Sequence, residues 1–257
     1  MKFTEIVLEH VNSTNSYAKH LLNESKAGEG TIIRAWEQYA GRGQGENSWH
    51  SQPGMNLTFS LVLEPFFLMP DKQFTLNKAV ALAVSNTVGK ELPSGITISV
   101  KWPNDIYAGD RKIAGILIEH CILGSSIKNS VVGIGINLNQ QEFPAALPNP
   151  VSLKQLTGKD YDAKKILERT CKNLDSEYFR LINREFQAID NEYNSSLFGY
   201  GRDFEFTAGE SSFTGRIQGV DDFGRLVVMT ADGVIRKFNH GEISGCTVSQ
   251  TSRSHKL

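Results

Sequence analysis

Cysteine is scarce in this 257-residue chain: there are three, Cys121, Cys171 and Cys246. They are odd in number and far apart, and no CxxC spacing occurs. Neither a disulfide framework nor a cysteine-ligated metal site is expected, and a reducing, cytoplasmic compartment fits. Charge of one sign is lacking too: 27 Lys and Arg stand against 28 Asp and Glu, a formal net charge of -1. That balance removes the global basic field of a nucleic-acid binder, and no helix-turn-helix stretch is present. No apolar run approaches about 18 residues, so no membrane span is expected. The opening Met1-Lys2-Phe3-Thr4-Glu5 has no signal-peptide character. No GxxxxGK[ST] occurs, which excludes a P-loop, and Gly133-Ile134-Gly135 lacks the remaining glycine and helix of a dinucleotide fingerprint. The terminal Ser254-His255-Lys256-Leu257 lacks the small residue of a peroxisomal address, and residues 249–257 are expected to form a disordered tail.

What is present suits an ordinary soluble core: 40% hydrophobic and 21% charged residues. Length points to one large domain, or to one domain plus a small one. Phe3 to Leu8 reads as an edge strand, and helical spacing follows over Tyr17, Ala18, Leu21 and Leu22. Thr31 to Glu37 and Asn56 to Glu64 read as strands. A helical stripe lies over Pro70 to Leu92, and strands over Ile96 to Val100, Lys112 to Glu119 and Val131 to Asn139. Phe143 to Pro150 is irregular, and one long helix is expected from Asp162, its cap, to about Leu197. From about Gly201 short β runs alternate with Gly and Asp turns, the texture of a small antiparallel barrel. The domain boundaries fall at 1–200 for the large unit and 201–248 for the barrel.

Between the second and third strands lies Gln38 to Ser51, QYAGRGQGENSWHS. Polar, glycine-rich loops of this length between core strands tend to be functional. Gly41, Gly43 and Gly45 alternate, so the backbone can approach a ligand closely and turn several N–H groups on an anion. Arg42 adds a forked cationic donor and Trp49 a flat apolar face. A mere surface loop with a stray tryptophan is the competing reading.

Three further blocks allow two readings each. Ser13-Thr14-Asn15 opens the first helix, either only as a cap or also as polar groups facing a ligand. Lys101-Trp102-Pro103-Asn104-Asp105 ends a strand. Its lysine is either solvated or held into a cleft, and Asp105 serves at least to orient its own turn. Glycines inside strands, Gly115, Gly133 and Gly135, weaken those strands unless something approaches closely, and on one face they would leave a slot.

In order, these blocks (Ser13-Thr14-Asn15, the GRG loop with Trp49, KWPND followed by KIAGILIE, and Gly133-Ile134-Gly135-Ile136-Asn137) resemble the biotin protein ligases. The resemblance covers nearly the whole chain. It implies an α+β fold: a mixed sheet with helices of the class II aminoacyl-tRNA-synthetase-like type, followed by a small all-β barrel. It also implies ATP-dependent biotinylation of a lysine through biotinyl-5′-AMP, with ATP, Mg2+ and biotin used together and a biotin carboxyl carrier domain of a carboxylase as partner. By that resemblance Lys101 and Arg42 are catalytic. Ser13, Thr14, Asn15, Gln38, Gly41, Arg42, Gly43, Gln44, Lys101, Gly115, Gly133 and Gly135 hold biotin, and Arg42, Trp49, Asn104, Lys112 and Asn137 hold the nucleotide. No protein ligand for a metal is expected, and edge-strand pairing into a homodimer is.

Two departures stand out. Family members often continue the loop with more basic residues, whereas Arg42 is the only cation here, so weaker retention of the adenylate is expected. Gln44→Arg should slow adenylate release, and an equal off-rate in both proteins would refute this. The repressor members also carry an N-terminal DNA-binding domain, for which no room is expected before Phe3, so DNA is not an expected partner. Lipoate–protein ligases or octanoyltransferases of the same superfamily, and a non-catalytic biotin-binding module, are the alternatives.

Overall fold

The computed structural model describes residues 1–248, and the expected tail at 249–257 lies outside them. The chain forms two sheets. The larger has seven strands: β1 (Thr4–Val11), β2 (Thr31–Gln38), β3 (Leu57–Leu63), β4 (Ile98–Lys101), β5 (Asp105–Ala108), β6 (Arg111–Leu123) and β7 (Ser126–Ile136). Their order is β1-β2-β3-β7-β6-β5-β4. Only β1 and β2 pair in parallel, so the sheet is mixed, with β1 at one edge as expected.

Strand alternation divides the sheet into two chemically different faces. Leu57, Phe59, Leu61 and Leu63 of β3, with Val132, Ile134 and Ile136 of β7, join the main core. Onto this face pack α2 (Gln73–Gly89), α4 (Ala163–Ile182) and α5 (Phe186–Ser196). Helix α2 has buried residues on every side, as a helix enclosed between layers must. The other face carries Thr58, Ser60 and Val62 of β3, Val131, Gly133 and Gly135 of β7, and Gly115, Leu117 and Glu119 of β6. Helix α1 (Thr14–Asn23) covers only part of it, burying Ala18 and Leu21 against Ile33, Val62 and Val131. Where α1 stops, small and polar residues replace aliphatic ones.

The second sheet is antiparallel, ordered β11-β10-β9-β8-β12. Its strands are β8 (Asp203–Ala208), β9 (Ser211–Val220), β10 (Leu226–Thr230), β11 (Ile235–Phe238) and β12 (Ser244–Val248). Its aromatic interior, Phe204, Phe206, Phe213 and Phe238, runs as a chain of ring contacts.

The predicted helix from Asp162 to Leu197 is two helices. Asp162 does cap the first, accepting from Lys164 N. The chain then turns at Asn183 and at Arg184, whose φ is 58°. Arg180 binds Glu177, Glu185 and Glu192 together, which folds α5 back on α4. The helix expected from Pro70 begins as a 3-10 turn over Pro70–Lys72. Strand β5 and the short α3 (Leu153–Thr157), closed by a Ser152–Gln155 capping box, were not read from the sequence. No helix among the described residues is long and apolar enough to cross a membrane.

Candidate active site

The polar face of the large sheet forms the floor of a cavity of about 460 Å³. Its glycines have a direct spatial reason. A Cβ on Gly133 would lie 2.3 Å from Asn15 Oδ1, and one on Gly135 would lie 2.3 Å from the Trp49 ring. Gly115 lies under the same indole, 3.0 Å from its edge by the same measure. The alternating glycines do leave room on one face, and side chains of the protein itself fill it. In this structure the Asn15 amide lies over Gly133 and the Trp49 indole over Gly115 and Gly135.

At the α1 end the cavity is rich in oxygen acceptors. Ser13 is the N-cap residue of α1 but forms no side-chain cap bond. The Thr14 amide donates instead to Gln38 Oε1 at 2.8 Å, and the Thr14 hydroxyl is 3.1 Å from the same oxygen. Ser60 Oγ stands 2.7 Å from Thr14 Oγ1 and 2.6 Å from Asn15 Oδ1. Three oxygen–oxygen contacts thus share two hydroxyl hydrogens, since each hydroxyl supplies one. The cluster can take up a further N–H donor. Asn15 Nδ2 donates to Glu119 Oε2 at 2.9 Å and to Leu117 O at 3.3 Å.

The KWPND turn forms the opposite end. Lys101 and Asp105 face each other across the β4–β5 pair. The Lys101 ammonium lies 3.2 Å from the Tyr107 hydroxyl and 5.0 Å from its ring centre. Asn104 clamps β6, its side-chain amide donating to Ile116 O at 2.6 Å while its main-chain carbonyl accepts from Ile116 N. Lys112 pairs with Asp105 at 2.7 Å and stands 5.8 Å from the Trp49 ring. Two buried polar atoms on this wall have no protein partner: Trp49 Nε1, a donor, and Asn137 Oδ1, an acceptor. Buried polar groups are nearly always paired, so such a couple marks where a ligand edge would bond.

The glycine loop closes over the slot as a small hairpin. Gly43 N donates to Asn47 O and Trp49 N to Gly41 O, both at 2.8 Å, and Gly45 takes φ 64° at its tip. Arg42 reaches Glu119 at 3.0 Å. Among the described residues no group of three or more His, Cys, Asp or Glu gathers to hold a metal ion.

A sequence model of the Biotin/lipoate A/B protein ligase family matches residues 7–137, and one of the Biotin protein ligase C terminal domain matches residues 205–244. The Bifunctional ligase/repressor BirA of Bacillus subtilis is 33% identical over 240 residues, covering 90% of this chain and 73% of that protein. The chain belongs to the biotin/lipoate A/B protein ligase family. The Biotin–[acetyl-CoA-carboxylase] ligase of Paracoccus denitrificans is 29% identical over 228 residues, 86% of this chain and 92% of that one. The Aquifex aeolicus biotin protein ligase in complex with biotin and ATP superposes with a TM-score of 0.75 at 30% identity, covering 94% of this chain and 97% of the other.

Within this ligase-family fold every residue given a site role from the sequence lines this cavity except Gly41, which supports the loop through its backbone; Gly45 stands at the hairpin tip, outside the lining. Ser60, Glu119, Tyr107 and His240 escaped the sequence reading. Ser60 had a signal, a lone hydroxyl inside the apolar run Leu57–Leu63. Glu119 had one as well, a carboxylate closing a buried strand. His240 comes from the second sheet and lines the cavity beside Trp102, their ring centres 6.1 Å apart.

Proposed function

We propose that this protein is an ATP-dependent biotin ligase whose cavity joins a biotin carboxylate to the α-phosphorus of ATP and then passes the biotinyl group to a lysine of a biotin carboxyl carrier domain. Residues 1–200 make up the ligase unit and 201–248 the C-terminal unit. One observation carries the assignment of roles: a single cavity combines an acceptor-rich end, a glycine floor and the ammonium of Lys101, which no carboxylate among the described residues neutralises.

The chemistry fits the polarity of each end. The ureido N–H groups of biotin supply the donors that the Thr14, Asn15, Gln38 and Ser60 cluster lacks. The apolar body packs against the Trp49 indole, which covers the glycine floor in this structure. At the far end carboxylate and triphosphate repel each other, so a cation must hold them together and spread the charge of the transition state. Lys101 supplies it, assisted by Lys112 and by Arg42 with the backbone of Gly43 and Gln44. A purine edge offers both an acceptor for Trp49 Nε1 and an amino donor for Asn137 Oδ1. The carboxylate oxygen bonds to phosphorus and pyrophosphate leaves. The acceptor lysine then attacks the carbonyl carbon, AMP leaves, and the loop keeps water from the anhydride meanwhile. Magnesium carried on the triphosphate would screen its charge, held by the phosphate oxygens rather than by a cluster of side chains.

The test is the intact mass of an apo biotin-carrier domain incubated with the protein, biotin and Mg-ATP. One biotinyl group should be gained with ATP and none without it. A gain from lipoate or octanoate in place of biotin would transfer the protein to the lipoylating branch of the family. Absence of any gain would leave a binding module.

A further inference from the structure

Glu119 lies on the sheet face that floors the cavity, and its carboxylate collects donors from three separate elements. Lys19 Nζ of α1 stands 2.5 Å from Oε1, Arg42 Nη1 of the loop 3.0 Å from Oε1, and Asn15 Nδ2 2.9 Å from Oε2. The Glu119 side chain keeps 17% of its exposure, while Lys19 and Arg42 keep 43% and 45%. A carboxylate so enclosed attracts cations more strongly than one in open water. Burial pushes its carboxyl up, but the Lys19 and Asn15 hydrogen bonds and the charges of Lys19 and Arg42 outweigh burial and hold it below the usual range.

Arg42 is the only cation in the stretch from Gln38 to Ser51. The loop hairpin is fastened to the sheet by two side chains, Trp49 on the glycine floor and Arg42 on Glu119. A guanidinium already neutralised by one anion is less attractive to a second. We propose that Glu119 is the resident counter-ion of Arg42, seating the loop and competing with the anionic group of the substrate for the guanidinium, while Lys19 weakens that hold and stays behind to neutralise Glu119. Glu119 and Lys19 are thus opposed positioning residues of the loop arginine. The proposal rests on the ligase reading only for the identity of the anion.

Two variants should move in opposite directions. Glu119→Gln keeps an acceptor for Asn15 and removes the charge, which frees Arg42. Lys19→Met leaves Arg42 as the one cation on Glu119 among the described residues, beside the neutral Asn15 amide. Limited trypsin digestion of the full chain, followed by mass at the Arg42–Gly43 bond, should be about two- to fivefold faster in Glu119→Gln and slower by a similar factor in Lys19→Met. ATP binding by calorimetry should tighten in the first and weaken in the second. A merely structural role would loosen both variants together, and shifts of the same sign, or no shift in cleavage, overturn the proposal. Cleavage is read with no ligand added. Opposite cleavage shifts without ATP binding by any form of the protein would therefore support the counter-ion and remove the ligase reading.

Discussion

Lys101→Ala is expected to lower the rate of adenylate formation by about 10²–10³-fold, the cost of removing one preorganised charge from a transition state. Three cations line the cavity among the described residues, and two of them are held by acids: Arg42 by Glu119 and Lys112 by Asp105. Lys101 touches only the Tyr107 hydroxyl and ring. Its charge is therefore available without breaking an ion pair. The fold should notice little, because the residue is an exposed strand end. Unfolding free energy is expected to stay within about 0.5 kcal/mol. Lys101→Arg should rescue poorly, since a planar fork replaces a compact ammonium. Single-turnover pyrophosphate release measures the effect, and a rate near the parent's would remove Lys101 from the chemistry.

Lys78→Ala should be the most damaging change for stability, at about 3–5 kcal/mol, the range for breaking a buried pair from one side. The partial exposure of Asp190 places it toward the lower figure. The Lys78 side chain is 2% exposed, and its ammonium meets Asp190 Oδ1 at 2.8 Å and the Val220 carbonyl at 3.0 Å. The rings of Phe74 and Tyr193 lie 5.9 and 5.8 Å away. One cation thereby ties α2, α5 and the end of β9 together, and its loss strands a carboxylate and a carbonyl. Urea unfolding would show it, and a loss below about 1 kcal/mol would mean that water takes over the pair. Replacing both partners, Lys78→Met with Asp190→Leu, should recover most of the deficit.

Much of the site was legible because its chemistry sits on short contiguous blocks. Strand alternation alone put Gly133 and Gly135 on one face, and that face is the cavity floor. Ser13-Thr14-Asn15, the loop and KWPND line one cavity, whereas their local textures left two readings for each and only the family resemblance joined them. What escaped depends on distance along the chain. His240 reaches the cavity from the second sheet, and no local pattern announces it. Strand β5 is four residues long directly after a proline turn, too short for a period to show. The break between α4 and α5 follows from Arg180 gathering acids from both helices, while the apolar spacing runs on across the turn.

The wall around Trp102 is assembled from distant parts of the chain. Its indole N–H donates to the Gly224 carbonyl at 2.9 Å, and His240 leans on the ring. Gly224 itself, at φ 81°, fits tightly against Phe74. During synthesis the glycine floor, the loop and Lys101 all emerge well before residues 221–240 exist. A nascent chain stalled between these points has Trp102 without its Gly224 acceptor and without the His240 ring. Trp102 and the rest of its wall are thus separated by more than a hundred residues of synthesis, and the wall is completed last.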